Sequence, residues 1–343
     1  MKQYRFICLI NRVSVYLTVK EVIIMVKVYI AGAIPQEGLD LLQDQGYEVD
    51  VYDGEGIIDQ ETLKEGVKDA DVLISLLSTN VDKEVIDAGS NLKIITNYGA
   101  GFNNVDVDYA REKDIDVTNT PKASTAATAE LTFALVLASA RRIVEGDQLC
   151  RTKGFDGWAP LFFRGREVSG KTIGIVGLGE IGGAVAKRAK AFDMNILYTG
   201  PHQKPEKERE IGAKYVDFDT LIEKSDFVTI NTAYKPELHH SFDTEQFKKM
   251  KSTSYLINAA RGPIVNEQAL VDALKAKEIE GAALDVFEFE PEINDELKSL
   301  DNVVITPHIG NATFEARDMM ARIVANDAIS KMNGEEPKYV VNK

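Results

Sequence analysis

The chain has 343 residues, enough for about two domains at roughly 150 residues each. Its 44% hydrophobic and 27% charged residues are those of a globular protein that needs no disulfide staples. Asp and Glu outnumber Lys and Arg by 54 to 40, a net charge of -14. That balance argues against broad nucleic-acid or anionic-membrane binding, because neutralising phosphates takes a surplus of cations.

Residues 1–25 are basic, with Lys2, Arg5, Arg12 and Lys20 against Glu21. The apolar run 6–10 is cut by Asn11-Arg12 and no small-residue cleavage site follows, so the segment does not read as a signal peptide. No later run approaches the ~20 apolar residues that span a bilayer, so no membrane partner is expected. Only Cys8 and Cys150 occur, without CxxC or a Cys/His metal spacing, which fits a reducing cytosol and a cytoplasmic location. The first clear strand opens at Val26, directly after Met25, and 1–25 is read as an extension outside the fold.

From Met25 onward the pattern alternates. Short β-branched runs at 26–30, 47–52, 72–75 and 93–97 are separated by helical patterns such as 36–45 and 82–88. This alternation predicts a parallel sheet covered on both faces. After Pro121 a long apolar helix, 125–142, ends in two arginines that suit its C-terminal dipole. Its apolar character predicts burial between domains or subunits. A second series has strands at 172–176, 195–198, 227–231, 255–258, 281–285 and 303–306. Helices at 180–192, 218–223, 244–250 and 267–276 fit between them, and a last helix at 314–332 follows. The expected fold class is α/β: two doubly wound parallel-sheet (Rossmann-like) domains with the active site in the cleft between them.

The strand 172–176 runs into Gly177-Leu178-Gly179-Glu180-Ile181-Gly182 and then a helix. Three glycines at this spacing arise by chance in roughly one such chain in eight, so the strand before and the helix after carry the reading of a dinucleotide site. Gly177 permits the tight turn, Gly179 lets the backbone approach a pyrophosphate, and Gly182 lets helix and strand pack closely. An NAD site usually has Asp or Glu at the end of the next strand, for the ribose 2′-OH. Here Gly200 stands near that place, and His202, Lys204 and Lys207 follow as candidate partners of a 2′-phosphate. NADP is therefore favoured over NAD. The pair His239-His240 reads as a solvated loop.

Three further motifs stand in order: Leu256-Ile-Asn-Ala-Ala-Arg261-Gly262, Leu284-Asp285-Val-Phe-Glu-Phe-Glu290-Pro291 and Thr306-Pro-His308-Ile-Gly310. With Tyr98-Gly-Ala-Gly-Phe-Asn-Asn-Val-Asp106 and Asn119-Thr-Pro121, they resemble the D-isomer-specific 2-hydroxyacid dehydrogenases over nearly the whole chain from Val26, with the glyoxylate/hydroxypyruvate reductases as the closest branch. The resemblance implies residues 26–122 plus 313–343 as a substrate domain and 123–312 as the dinucleotide-binding domain. It implies reversible NAD(P)H-dependent reduction of a small 2-oxo acid to the D-2-hydroxy acid, and a homodimer. Arg261 is then the carboxylate clamp, His308 the acid–base group and Glu290 its partner, roles that also suit their chemistry. Asp285 would hold the nicotinamide carboxamide. Thr128, Thr232, Ala233, Ala259 and Gly310 would line the cofactor, and the backbone at Ala100 and Gly101 would bind the substrate carboxylate.

Each of these residues alone has a bland reading: a lone His308 is more often a core histidine. Their joint order outweighs that. The rival from another class is a nicotinamide-sensing, corepressor-like binding protein on the same fold. Because the first strand follows Met25 at once, a chain starting at Met25 should keep its folding and activity. Circular dichroism and an NADPH-oxidation assay on the two lengths check this, and impaired folding or turnover in the short form would refute it.

Overall fold

The computed structural model describes residues 25–343 together with the backbone of two short strands, Phe6–Ile10 and Val13–Leu17, which pair antiparallel. No such hairpin is expected from the sequence pattern. The placing of 1–25 outside the fold otherwise falls on residues outside those described.

Two parallel sheets form the body. The smaller has the order Glu48–Val51, Lys27–Ile30, Val72–Leu76, Ile94–Tyr98, Asp116–Thr118. The larger runs Lys214–Tyr215, Asn195–Thr199, Thr172–Val176, Phe227–Ile230, Tyr255–Asn258, Gly281–Leu284, Val303–Ile305. Every pairing within both sheets is parallel. Central strands such as Ile94–Tyr98 and Phe227–Ile230 are buried at every position, as expected where helices cover both faces.

The strand orders locate the crevices. In the large sheet the order reverses between Thr172–Val176 and Phe227–Ile230, so the carboxyl ends of these two strands open a gap at Gly177 and Asn231. In the small sheet the reversal lies between Lys27–Ile30 and Val72–Leu76. Both open toward the region where the sheets face each other.

The two long helices join different cores. In Thr125–Arg141, Ala129, Phe133, Val136 and Ala140 pack with Ile173, Ile175, Ile257 and Ala283 of the large sheet. This helix buries one face on its own sheet, and its Thr128 lines the cavity to which loops of both sheets contribute. In Phe314–Met332, Met320, Ala321, Val324, Ala325 and Ala328 pack with Val28, Ile30, Val72 and Ile74 of the small sheet. The chain's last residues stay there: Val341 N–H donates to the Val117 carbonyl at 2.8 Å.

Several short elements escape a reading of the sequence. Gln60–Val67 buries only Leu63 and Val67, a stripe too narrow to read as periodic. Ile143–Thr152 buries no residue at all. It begins at Arg142, which sits in the left-handed region (φ 54°) and pairs with Glu145. Helices Val107–Glu112 and Pro205–Ile211 and strands Asp116–Thr118 and Lys214–Tyr215 are too short to give a pattern. No described helix is long and apolar enough to cross a membrane.

Candidate active site

The glycine loop divides three tasks among three residues. Gly177 has φ +96°, and a Cβ there would stand 2.9 Å from Thr232 Cβ. A Cβ on Gly182 would meet the Gly177 carbonyl oxygen at 2.1 Å, so the helix Glu180–Ala191 lies against the turn only because position 182 lacks a side chain. A Cβ on Gly179 would meet nothing within 4 Å. That residue starts the helix and faces open space, where helix N–H groups and the dipole favour an anion. Beside it, the buried side-chain amide of Asn231 has no partner among the described residues on either its nitrogen or its oxygen, an orphan pair that a bound polar ligand would satisfy. The loop, the open position at Gly179 and this amide fit a dinucleotide.

The next stretch differs from the sequence reading. Lys204 and Lys207 are not on a free loop. Lys204 is the residue before helix Pro205–Ile211, and its Nζ donates to the Leu178 carbonyl at 2.8 Å. Lys207 Nζ donates to the Gly179 carbonyl at 2.8 Å and lies 3.6 Å from Glu180. The two lysines brace the glycine loop from below. His202 is exposed, and a Cβ on Gly200 would meet nothing within 4 Å, so this end of the crevice is open. Tyr198 takes part in the same bracing: its hydroxyl donates to Glu208 and accepts from Lys204 N–H at 2.7 Å. Burial first, then the Glu208 carboxylate, pushes the Tyr198 phenol up to about 12.

A cavity of about 300 Å³ gathers most of the other candidates. Its wall includes Ala100, Gly101, Thr128, Ile181, Thr232, Ala233, Ala259, Arg261, Asp285, His308 and Gly310. Both sheets contribute. Gly177, Leu178, Gly179, Glu180 and Gly182 lie on the adjoining loop, and Glu290 lines a second chamber of about 800 Å³ on the far side of His308. Gly200, His202 and Lys204 are not brought to this centre.

Arg261 is placed by absences of side chain. A Cβ on Gly101 would lie 1.9 Å from Arg261 Nη2, and one on Gly262 would lie 1.8 Å from the Phe287 carbonyl oxygen. Arg261 Nη1 donates to the Ala260 carbonyl at 2.7 Å and Nε to Asn103 Oδ1 at 3.2 Å. Burial pulls the guanidinium below its ordinary value, against the nearby Glu290 charge, which raises it. Among the described residues it has no carboxylate within 4.0 Å. A largely buried cation that bonds only neutral oxygens is a receptor for an anion.

His308 Nδ1 lies 2.8 Å from Glu290 Oε2, and Glu290 Oε1 accepts from Phe287 N–H at 3.0 Å. Burial pushes the Glu290 carboxyl up, but His308, Phe287 N–H and Arg261 together hold it below the usual carboxylate range. Asp285 is 1% exposed. Its carboxylate accepts from Thr306 Oγ1 at 2.6 Å, Ile309 N–H at 2.8 Å and Gly310 N–H at 2.8 Å, so it fixes the loop that carries His308. Burial dominates here and the Asp285 carboxyl lies above its ordinary value despite those bonds.

Sequence reasoning missed the asparagines that shape the substrate-side loop. Asn97 Nδ2 donates to the Gly101 carbonyl and Asn119 Nδ2 to the Ala100 carbonyl, both at 2.7 Å. Asn104 Nδ2 donates to the carbonyls of Leu76 and Thr79 at 2.9 Å. Asn103, Asn104 and Asn119 lie inside the motifs quoted above and Asn97 just before one, but nothing in a linear string says which carbonyl an amide will reach. The reading of His240 is also corrected. His239 is exposed as expected, but His240 is half-buried: the two rings stack with centroids 3.9 Å apart, and His240 Nε2 lies 2.6 Å from Glu288 Oε1. Among the described residues, no group of three or more His, Cys, Asp or Glu is arranged to hold a metal.

This combination defines a class: an oxidoreductase with a dinucleotide crevice on one sheet and an Arg/Glu/His constellation where the two sheets meet. Residues 133–310 match the family described as "D-isomer specific 2-hydroxyacid dehydrogenase, NAD binding domain". A protein of Staphylococcus saprophyticus named as a 2-hydroxyacid dehydrogenase is 80% identical over 318 residues, 93% of this chain and all of that one. A crystal structure of a Thermus thermophilus protein superposes with a TM-score of 0.88 at 38% identity, covering 92% of this chain and 99% of that one. The NADPH-dependent glyoxylate/hydroxypyruvate reductase of Sinorhizobium meliloti, solved with NADP and malonate, superposes with a TM-score of 0.79 at 27% identity, covering 92% and 96%. The chain belongs to the D-isomer-specific 2-hydroxyacid dehydrogenase family, and it is an enzyme. The corepressor-like alternative finds no support among these relatives.

The contact at Gly101 can be tested directly. A methyl group there displaces the Arg261 guanidinium, so Gly101→Ala should raise the KM for a 2-oxo acid by at least about tenfold, the value of one lost charge-assisted hydrogen bond, with cofactor affinity kept. Steady-state kinetics beside a cofactor titration measure both, and an unchanged KM would refute the placement.

Proposed function

We propose that the enzyme reduces a small 2-oxo acid, of the glyoxylate and hydroxypyruvate kind, to the D-2-hydroxy acid with NADPH, and runs the reverse oxidation. The observation that carries this reading is Arg261: a half-buried guanidinium that has no carboxylate partner among the described residues and shares a cavity with His308, itself paired with Glu290. The nicotinamide, when bound, supplies the hydride. Arg261 binds the substrate carboxylate through its planar fork, and the backbone at Ala100 and Gly101 completes the clamp. The same guanidinium polarises the neighbouring carbonyl. Glu290, held ionised, accepts the His308 Nδ1–H, which fixes the tautomer and leaves Nε2 to give a proton to the carbonyl oxygen. In the oxidation direction the same nitrogen takes the proton back. Thr128, Thr232, Ala233, Ala259, Asp285 and Gly310 hold the nicotinamide end of the cofactor. The glycine loop, Gly177 to Gly182, holds the pyrophosphate.

The chamber beyond His308 receives the substituent on C2. Its walls are mostly apolar, including Ile34, Pro35, Leu76, Leu77, Phe287 and Ile293. The chain divides into a substrate domain, 26–122 with 313–343, and a dinucleotide domain, 123–312, a division that the separate cores of the two sheets support.

A homodimer completes the proposal. Its contact surface includes the segment after helix Thr125–Arg141. Helix Ile143–Thr152 is unburied, and the loop beyond it exposes Phe155, Trp158 (86%) and Leu161. So much exposed apolar surface on one arm is unusual for a monomer. The sparse cysteines fit a cytoplasmic enzyme.

Three measurements test this reading. His308→Gln should lower turnover by about 10²–10⁴-fold, the usual value of proton donation, with cofactor affinity nearly intact. Lost NADPH affinity with turnover kept would sink the assignment. For cofactor choice, Gly200 offers neither an acceptor for a ribose hydroxyl nor a charge against a 2′-phosphate. Lys204, which donates one of its three N–H bonds to Leu178, can turn another toward that phosphate, with His202 beside it. A charge-assisted bond is worth roughly 1.5–3 kcal/mol, so kcat/KM should favour NADPH over NADH by about ten- to a hundredfold. Gly200→Asp should reverse that preference; equal use of both cofactors by the unmodified enzyme would overturn it. Finally, sedimentation at micromolar concentration should show a dimer, and Trp158→Ala with Phe155→Ala should weaken it. A monomeric parent chain would refute the arm.

A further inference from the structure

A buried acidic pair lies behind the Glu290–His308 dyad, and the reaction as derived above makes no use of it. Glu267 opens helix Glu267–Lys275 and is only 4% exposed. An acidic residue in a first turn usually faces solvent, where it complements the dipole. This one turns inward. Its Oε1 accepts from Glu288 N–H at 2.6 Å, while Glu288 Oε2 accepts from Glu267 N–H at 3.1 Å. Each residue thus binds the other's backbone with its own side chain. Glu288 Oε1 in turn lies 2.6 Å from His240 Nε2, and His240 N–H donates to the Pro263 carbonyl at 2.9 Å.

The helix does not need this arrangement. Asn266 already caps it, its Oδ1 accepting from Ala269 N–H at 3.1 Å. Two neighbouring carboxyl groups taken out of water carry a desolvation cost, so their survival requires another explanation. Burial pushes the Glu267 carboxyl above its ordinary value, and the charges of Glu288 and Glu290 add to that; the N–H groups of Glu288 and Asn294 oppose it.

What the pair holds is the segment 287–290. Phe287 N–H donates to Glu290 Oε1, and the Phe287 carbonyl packs against Gly262, next to Arg261. The segment therefore lies against the turn carrying the clamp and ends in the carboxylate that orients His308. We propose that Glu267, acting through Glu288 and with His240, is a positioning residue: it sets the register of Glu290 against His308. The inference rests on the reading of Glu290 and His308 as the acid–base pair.

The test is a variant series on the full chain, with kcat, KM for glyoxylate, NADPH affinity by fluorescence titration, and melting temperature. Glu267→Ala should lower kcat by about ten- to a hundredfold, the usual effect of losing a group that orients a reacting side chain, with NADPH affinity held within about twofold. Glu267→Gln should recover most of kcat, because its amide oxygen still accepts from Glu288 N–H. Glu267→Asp keeps the charge and the helix start but falls one methylene short, and should lose kcat several-fold. It covers the case in which Glu267→Ala does not fold. Unchanged kcat in the Asp and Ala variants would overturn the proposal, as would a joint loss of kcat and NADPH affinity, or a Gln variant as damaged as Ala. Glu290→Gln separates the two levels. If it leaves kcat intact, the acid–base reading fails. If it cripples kcat while the Glu267 series is silent, only the positioning role fails.

Discussion

The buried carboxylate of Asp285 is the constraint on which the rest of the site depends. It follows the strand Gly281–Leu284 and binds Thr306, Ile309 and Gly310, the residues on either side of His308. Without those partners a carboxyl 1% exposed would carry an uncompensated desolvation cost of several kcal/mol. With them, the loop has one arrangement. That arrangement includes His308 in the left-handed region, φ 52°, a conformation that costs a non-glycine residue about 1–2 kcal/mol. The strain persists because three hydrogen bonds to one buried anion over-determine the loop. The histidine is thus aimed by a group that is not its own hydrogen-bond partner.

The same logic, backbone held close by something rigid, recurs around Arg261. Gly101 and Gly262 let two chain segments approach until a single methyl would collide with a guanidinium or a carbonyl. Asn97 and Asn119 hold the facing loop by satisfying the Gly101 and Ala100 carbonyls, and Asn104, within that loop, ties it to the Leu76 and Thr79 carbonyls. Close approach excludes water, and the resulting burial makes a lone cation selective for an anion with matching geometry. The glycines and amides supply shape, the arginine supplies charge, and neither is sufficient alone.

Much of this is legible in one dimension. The strand Thr172–Val176, the glycine loop and the helix after it follow from local rules, and Gly177 makes the turn and Gly182 the close packing that their spacing implies. Arg261, Glu290 and His308 are legible because their motifs are short and ordered. What is hidden depends on contacts between distant segments. An apolar helix such as Thr125–Arg141 shows that it needs burial, but not by what. Lys204 and Lys207 show positive charge, but not that two carbonyls of the glycine loop lie within their reach. His239-His240 looks solvated in the sequence because the partner of His240, Glu288, is 48 residues away. The pairing of Glu267 with Glu288 leaves no periodic trace at all.

A chain of net charge -14 has, under the proposal, an anionic substrate. Long-range attraction cannot bring it in. The Debye length at physiological ionic strength is ~8 Å, so most of the surface charge is screened before it reaches the cleft. What acts on the ligand is the local set: Arg261, which has no carboxylate partner among the described residues, and the open helix start at Gly179. The carboxylates nearest the chemistry are each already engaged. Glu290 binds His308 and Phe287, Asp285 binds its loop, and Glu267 and Glu288 bind each other. Their lone pairs point into protein hydrogen bonds, which blunts their repulsion of a third anion. An acidic protein can hold an anion-binding centre when the acidic groups around it are committed and the buried cation is not.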